Sequence, residues 1–312
     1  TSELLRQLVS GLFQEDYIAV VPGGRAENAL LLEQKFDYIF FTGGVGVGRL
    51  VMEKAAQHLT PLTLELGGKS PCIVERTANV KLAAKRIVFG KYLNAGQTCV
   101  APDYLFVQEE VRDLLVGYIK QYITEFFGAK PLENRDFGRI INEKHFERLC
   151  RLMAGEQLLA GGGINAQTRQ IEPTVLGNIT PDSRIMQEEI FGPILPVLTF
   201  KQTQEVVQYV NAHEKPLALY LFTTDHAVEN ELLARCSSGG GCVNDTVIHL
   251  ATTAMPFGGV GGSGMGSYHG KASFDTFTHY RSIVKKANWI DLPIRYQPYT
   301  ESKEKLLRLF LH

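Results

Sequence analysis

A cysteine that follows a flexible turn has the setting a nucleophile needs. Residues 91–102 read KYLNAGQTCVAP and place Cys99 directly after Ala-Gly-Gln-Thr. A thiolate there can attack a carbonyl carbon, provided a base and a cofactor site lie nearby. The competing reading is a structural thiol, since free cysteine is among the most buried residue types. Glu65 is the first candidate base. Residues 60–68, TPLTLELGG, set it between Leu64 and Leu66 near the end of an apolar strand. Poor solvation there disfavours the charged carboxylate and raises its pKa, the direction a general base requires. An ion-paired structural glutamate is one alternative. Ribose binding is another, because Glu65 follows Gly43 by about 20 residues, the place where a dinucleotide fold keeps its ribose-binding acid.

Three further stretches carry site chemistry. Residues 42–48 read TGGVGVG between a strand and a helix start, so Gly43, Gly44, Val45, Gly46, Val47 and Gly48 form a turn that can accept a phosphate on backbone N–H groups. The spacing is not G-x-G-x-x-G: a frame from Gly43 meets Val45, and a frame from Gly44 meets Arg49. Tight strand-to-helix packing explains the same glycines equally well. Residues 187–193, QEEIFGP, put two acids beside an aromatic and a Gly-Pro turn. Such a carboxylate either accepts two sugar hydroxyls or is a solvated surface acid. Residues 256–270, PFGGVGGSGMGSYHG, are either a close-packed loop at a substrate entrance or a flexible linker.

The elements that must position these residues alternate. Residues 2–13 carry Leu4, Leu5, Leu8, Val9 and Leu12 at helical spacing. Residues 17–21 (YIAVV) predict a strand, 26–33 a helix, 38–41 (YIFF) a strand, 47–58 a helix and 62–66 a strand. Apolar strands alternating with helices imply a parallel sheet covered on both faces. The order continues with a strand at 71–74, a helix at 80–92, the Cys99 turn, a strand at 104–107 and helices at 111–127 and 146–154. A strand, helix, strand and helix at 194–200, 204–212, 217–222 and 228–236 complete a second α/β domain.

Composition removes several function classes. A net charge of −1 gives no general attraction to nucleic acid or anionic membrane. Cys72, Cys99, Cys150, Cys236 and Cys242 are odd in number and include no C-x-x-C pair, so they suggest neither a disulfide framework nor a zinc site. No apolar run approaches the roughly 18 residues that span a bilayer. The chain reads as cytoplasmic, without nucleic-acid or membrane partners and without a metal.

Taken in order, FTGGVGVG, LELGGKSP, GQTCVAPDY, QEEIFGP and PFGGVGGSGMGSYHG resemble the aldehyde dehydrogenase superfamily, most closely its class 3 branch of fatty and aromatic aldehyde dehydrogenases. The resemblance runs from residue 1 to about residue 286. It implies a partial Rossmann-like cofactor domain (1–67), a complete α/β catalytic domain (68–267), and a dimerisation strand with a C-terminal tail (268–312). It makes Cys99 the nucleophile toward an aldehyde and Glu65 the base that activates the hydrolytic water, with NAD or NADP as cofactor. Glu189 matches the residue that holds the nicotinamide ribose and Phe191 the aromatic beside it. The turn 43–48 and Leu66 fall on the cofactor side, and Phe257 matches a pocket-lining position.

Two departures qualify these expectations. The family usually has Gly-Ser-Thr where this chain has Gly43-Gly44-Val45, so a hydroxyl contact to the cofactor is missing and backbone donors remain. The family also has a long upstream stretch, with an oxyanion-hole Asn and an adenosine-ribose Lys, that the residues at hand do not match. One lost oxyanion donor costs about 100- to 1,000-fold in rate. The chain by itself is therefore expected to fall short of full activity, and the alternative is a non-catalytic fragment that acts by binding or by pairing with a full-length subunit. Residues 279–286, HYRSIVKK, resemble the strand by which the family forms homodimers. Residues 301–312 form a short amphipathic tail.

Overall fold

A computed structural model of the chain describes residues 1–310, which fall into two compact units, the first Thr1–Phe277 and the second beginning at Thr278. The first unit opens with helices α1 (Ser2–Leu12) and α2 (Arg25–Leu32), strand β1 (Ile39–Gly43), helix α3 (Val45–Gln57) and strand β2 (Leu62–Leu66). Strand β3 (Pro71–Val74), helix α4 (Val80–Tyr92), strand β4 (Tyr104–Gln108) and helices α5 (Arg112–Phe127) and α6 (Glu143–Met153) follow. Short strands β5 (Gln157–Ala160), β6 (Ile164–Asn165), β7 (Gln170–Ile171) and β8 (Thr174–Gly177) precede β9 (Ile194–Phe200). Helix α7 (Thr203–Asn211), strand β10 (Ala218–Phe222), helix α8 (His226–Arg235), strands β11 (Gly240–Val243) and β12 (Gly264–Met265) and helix α9 (Gly270–Thr276) complete it.

Most of these strands make two sheets. The smaller has the order β1-β2-β12, with β1 and β2 parallel and β12 antiparallel to β2. The larger has the order β11-β10-β3-β4-β9-β8-β5, parallel except for β5. Strands β6 and β7 pair only with each other. Alternate residues of the large sheet enter separate cores. Leu105 and Val107 of β4 pack with α4 and α5, while Tyr104 and Phe106 pack with α6, α7 and α8. That split follows from the two-residue period of a strand, and it makes the body a helix-sheet-helix sandwich.

Several expectations needed correction. Residues 17–21 form no strand, and Tyr17 is 79% exposed. A β-branched run becomes a strand only where another strand satisfies its backbone groups, and residues 17–21 join none of the sheets formed by the described residues. Helix α1 forms as the leucine spacing predicts, yet none of its residues is buried. Helix α3 begins at Val45, so the glycine stretch is largely the helix itself, with Gly44 as its N-cap. In the second unit, residues 279–286 form no strand, and residues 301–310 form helix α10 (Glu301–Phe310). The last two residues of the expected tail lie outside the described residues. Among the described residues no helix is long and apolar enough to cross a membrane.

Candidate active site

The site begins where the chain passes from the small sheet to the large one. Glu65 sits in β2, the central strand of the small sheet, between Thr42 of β1 and Gly264 of β12. It is 3% exposed. Thr42 Oγ1 donates to Glu65 Oε2 at 3.0 Å, whereas Oε1 is buried with no hydrogen-bond partner. Burial raises the carboxyl pKa; the Thr42 hydroxyl and the Cys99 thiol work the other way. Cys99 and Glu65 thus lie near enough for each to shift the other's titration.

The turn that carries Cys99 is bent by its backbone. Asn94, Ala95 and Gly96 have φ of 52°, 52° and 73°, a run of left-handed conformations that only glycine adopts without cost. A Cβ on Gly96 would stand 2.2 Å from the Gly192 carbonyl oxygen, so this turn and the QEEIFGP loop touch backbone to backbone. Gln97 ties the turn down: its Nε2 donates to the Arg139 carbonyl at 2.9 Å and its Oε1 accepts from Ile141 N at 3.0 Å. Cys99 itself is partly buried against the α4–α5 core. Burial pushes its thiol up to about 12, and the charge of Glu65 pushes the same way.

A cleft of about 340 Å³ is lined by Val45, Gly67, Lys69, Glu189 and Lys215 among others; neither Cys99 nor Glu65 lines it, and Gly67, two residues beyond Glu65, is the nearest link in the chain. Val45 opens α3, and the first amides of a helix have no intrahelical acceptor. Burial lifts the Glu189 carboxyl to about 7; Asp103 adds to the rise, while the Gly68 N–H, Lys69 and Arg148 oppose it. A Cβ on Gly67 would come within 2.1 Å of Glu189 Oε2, so the backbone gives way for that carboxylate. Phe191 is 40% exposed in a left-handed conformation (φ 48°). Of the expected cofactor-side residues, Val45 and Glu189 line the cleft; Gly43, Gly44, Gly46, Val47, Gly48, Leu66 and Phe191 do not. Gly48 packs under Leu66. A half-buried carboxylate that faces the cleft, beside a helix start, fits the ribose and phosphate of a nicotinamide dinucleotide.

Phe257 is buried and belongs to the apolar cluster against which Cys99 packs. It exchanges two backbone hydrogen bonds with Tyr268, of 2.7 and 2.8 Å, and its ring stacks on His269. Burial raises the Tyr268 phenol to about 12, with further contributions from Glu65 and Cys99, so this ring shares their surroundings. Sequence reasoning missed Tyr268, and it missed Lys69, Asp103 and Arg148 around Glu189. Lys69 and Asp103 lie inside two of the quoted motifs, and a charged residue within an apolar motif was the available signal.

Fold and site together define an α/β protein with a partly buried thiol near a buried carboxylate and a cleft lined by a second carboxylate. The aldehyde dehydrogenase family model matches residues 3–283, and the chain belongs to that family. It is 46% identical over 311 residues to the 4,4'-diaponeurosporen-aldehyde dehydrogenase of Staphylococcus aureus, covering 99% of this chain and 68% of that protein. It is 44% identical over 313 residues to aldehyde dehydrogenase family 3 member A2 of Mus musculus, covering 100% of this chain and 65% of that protein. The substrate-bound structure of Staphylococcus aureus AldH matches with a TM-score of 0.97 and 45% identity, over 100% of this chain and 68% of that one. These relatives agree with the class 3 resemblance and with the expected fold. The chain spans about two thirds of their length.

Proposed function

We propose that the protein oxidises an aldehyde to a carboxylate with NAD or NADP, using Cys99 as nucleophile and Glu65 as base. The observation that supports this reading is a Cys99 thiol near a buried Glu65 carboxylate, with Gly67, two residues beyond Glu65, lining the cleft that Glu189 enters. The sulfur adds to the aldehyde carbonyl to form a thiohemiacetal. Nicotinamide, when bound, supplies the acceptor for the hydride that leaves it. The acyl group remains on Cys99 as a thioester. Glu65, its pKa raised by burial, takes a proton from water, and the resulting hydroxide displaces the sulfur.

Glu189 accepts ribose hydroxyls, with Phe191 beside it, and the start of α3 faces the pyrophosphate. Gly43, Gly44, Gly46, Val47, Gly48 and Leu66 shape the strand and helix behind that start, and Phe257 walls the aldehyde pocket. Residues 1–67 then contribute to cofactor binding, 68–267 to catalysis, and 268–312 to pairing with a second copy in the cytoplasm. The test is aldehyde-dependent NAD(P)H formation by the purified chain, alongside ester hydrolysis that needs only the thiol. No reduction, no ester hydrolysis sensitive to Cys99→Ala and no stabilisation by nucleotide would sink the enzymatic reading. Because the chain spans about two thirds of its relatives, that outcome favours the second reading, a subunit that acts by pairing with a longer partner.

A further inference from the structure

The loop that carries Glu189 is gripped from three sides by side chains that the proposed chemistry does not use. Lys69, in the turn just beyond the strand that holds Glu65, donates from Nζ to the Ile185 carbonyl at 3.0 Å and the Glu188 carbonyl at 2.9 Å. The same ammonium pairs with the Asp103 carboxylate. Asp103 stands four residues beyond Cys99, and its Oδ1 accepts from Ile190 N at 2.8 Å. Arg148 of α6 donates to the Glu189 carbonyl at 3.0 Å and the Ile190 carbonyl at 2.5 Å. Five backbone groups of residues 185–190 are thus held by three charged side chains. Two of those side chains come from the segments that bear Glu65 and Cys99.

We propose that the buried Lys69–Asp103 pair is a positioning device that locks the Glu189 loop to the Cys99 and Glu65 segments, so that ribose-holding carboxylate and nucleophile keep one registry. The proposal rests on the oxidation reading for its consequence, but the clasp itself is a property of the unliganded chain. Asp103 has a side chain 4% exposed and Lys69 one 18% exposed. A buried ion pair is a poor source of stability compared with apolar side chains of the same volume, while it fixes geometry through directed hydrogen bonds. Its partners here are main-chain atoms of one functional loop, which a merely space-filling pair would not need. Lys91, fully buried near Asp103 and Glu189, adds positive charge behind the pair without a direct part in the grip.

The test compares the parent chain with Lys69→Met/Asp103→Leu, which removes both charges together and leaves no lone buried ion. Amide hydrogen exchange in the unliganded chain should accelerate at least tenfold in peptides covering residues 185–192, with peptides of α5 unchanged. Titration with NAD and NADP should show at least tenfold weaker binding. Lys69→Arg, which keeps the charge and its donors, should restore most of the protection. A folded double variant whose 185–192 peptides exchange at the parent rate overturns the clasp. So does one that binds nucleotide as tightly as the parent. A parent chain that binds no nucleotide overturns the oxidation reading instead, and the exchange rates then still decide the clasp.

Discussion

The Cys99 thiol keeps its proton in the unliganded chain, and Glu65 helps to hold it there. Burial alone pushes the thiol toward a high pKa, and the neighbouring carboxylate adds both its charge and its acceptor oxygen in the same direction. The effect on Glu65 is opposite in sign, since a thiol donor favours the ionised carboxylate against the desolvation that disfavours it. The pair is arranged for a carboxylate that waits, facing a thiol that ionises only when its surroundings change.

Alkylation measures this directly. The rate at which iodoacetamide modifies Cys99, followed by peptide mass spectrometry, should rise steadily with pH up to about 12, where the thiol titrates. Glu65→Gln removes the charge that raises the thiol, so it should speed alkylation at about pH 9 several-fold. Slower alkylation in that variant would mean that Glu65 deprotonates the resting thiol, contrary to the arrangement described.

The same variant separates the two halves of the proposed reaction. Cys99→Ala should abolish aldehyde oxidation and ester hydrolysis together, because both pass through the sulfur. Glu65→Gln should leave acylation and slow release of the acyl group by about 100-fold or more, the usual contribution of a positioned base. A burst of product followed by a slow steady state would report it. Equal loss of burst and steady state would remove Glu65 from the deacylation step.

Two glycines near the site predict different losses from the same substitution. In Gly67→Ala the new methyl meets the end of the Glu189 side chain at 2.1 Å, and a side-chain terminus can swing away. Folding should survive, while nucleotide affinity falls about tenfold or more with the displaced carboxylate. In Gly96→Ala the new methyl meets the Gly192 carbonyl at 2.2 Å and must adopt a φ of 73°. Backbone cannot yield so cheaply, and a left-handed non-glycine residue costs on the order of 1–3 kcal/mol before the clash is counted. Denaturant titration should therefore show a loss of stability for Gly96→Ala and almost none for Gly67→Ala.

What the sequence made legible depends on where the deciding interaction lies. Helix α4, strand β2 and the Cys99 turn were readable because periodicity, apolar runs and turn residues are local. Strand β11 was not, since Gly240 and Gly241 carry no strand preference of their own and are recruited by pairing with β10. Strand β8 escaped for a related reason: Thr174–Gly177 is short, and it exists because β9 runs beside it. Residues 17–21 erred the other way, with strand composition and no neighbour. Lys69 and Asp103 escaped because the groups they hold, in residues 185–190, lie far away in the chain. Glu65 stood out because an acid inside an apolar strand is a local anomaly, whereas Glu189 was picked from its acid pair by the family resemblance.

Glu189 supplies the clearest pH dependence. Its carboxyl is lifted from the ordinary 4.5 to about 7, chiefly by burial. A folded-state value above the unfolded one means stability that is fully present below about pH 4.5 and is lost as pH rises through 7, on the order of 3 kcal/mol at most. Ribose hydroxyls donate, so they prefer the ionised carboxylate and oppose that loss. Nucleotide affinity measured by titration should therefore strengthen as pH rises from about 5.5 to 7.5, with proton release on binding near the lower end. Glu189→Gln keeps the shape, removes the ionisation and cannot offer the second acceptor oxygen. It should bind more weakly at pH 7.5 and show a flat profile across that range. A variant that retains the parent's pH profile would assign the titration to another group and release Glu189 from the ribose.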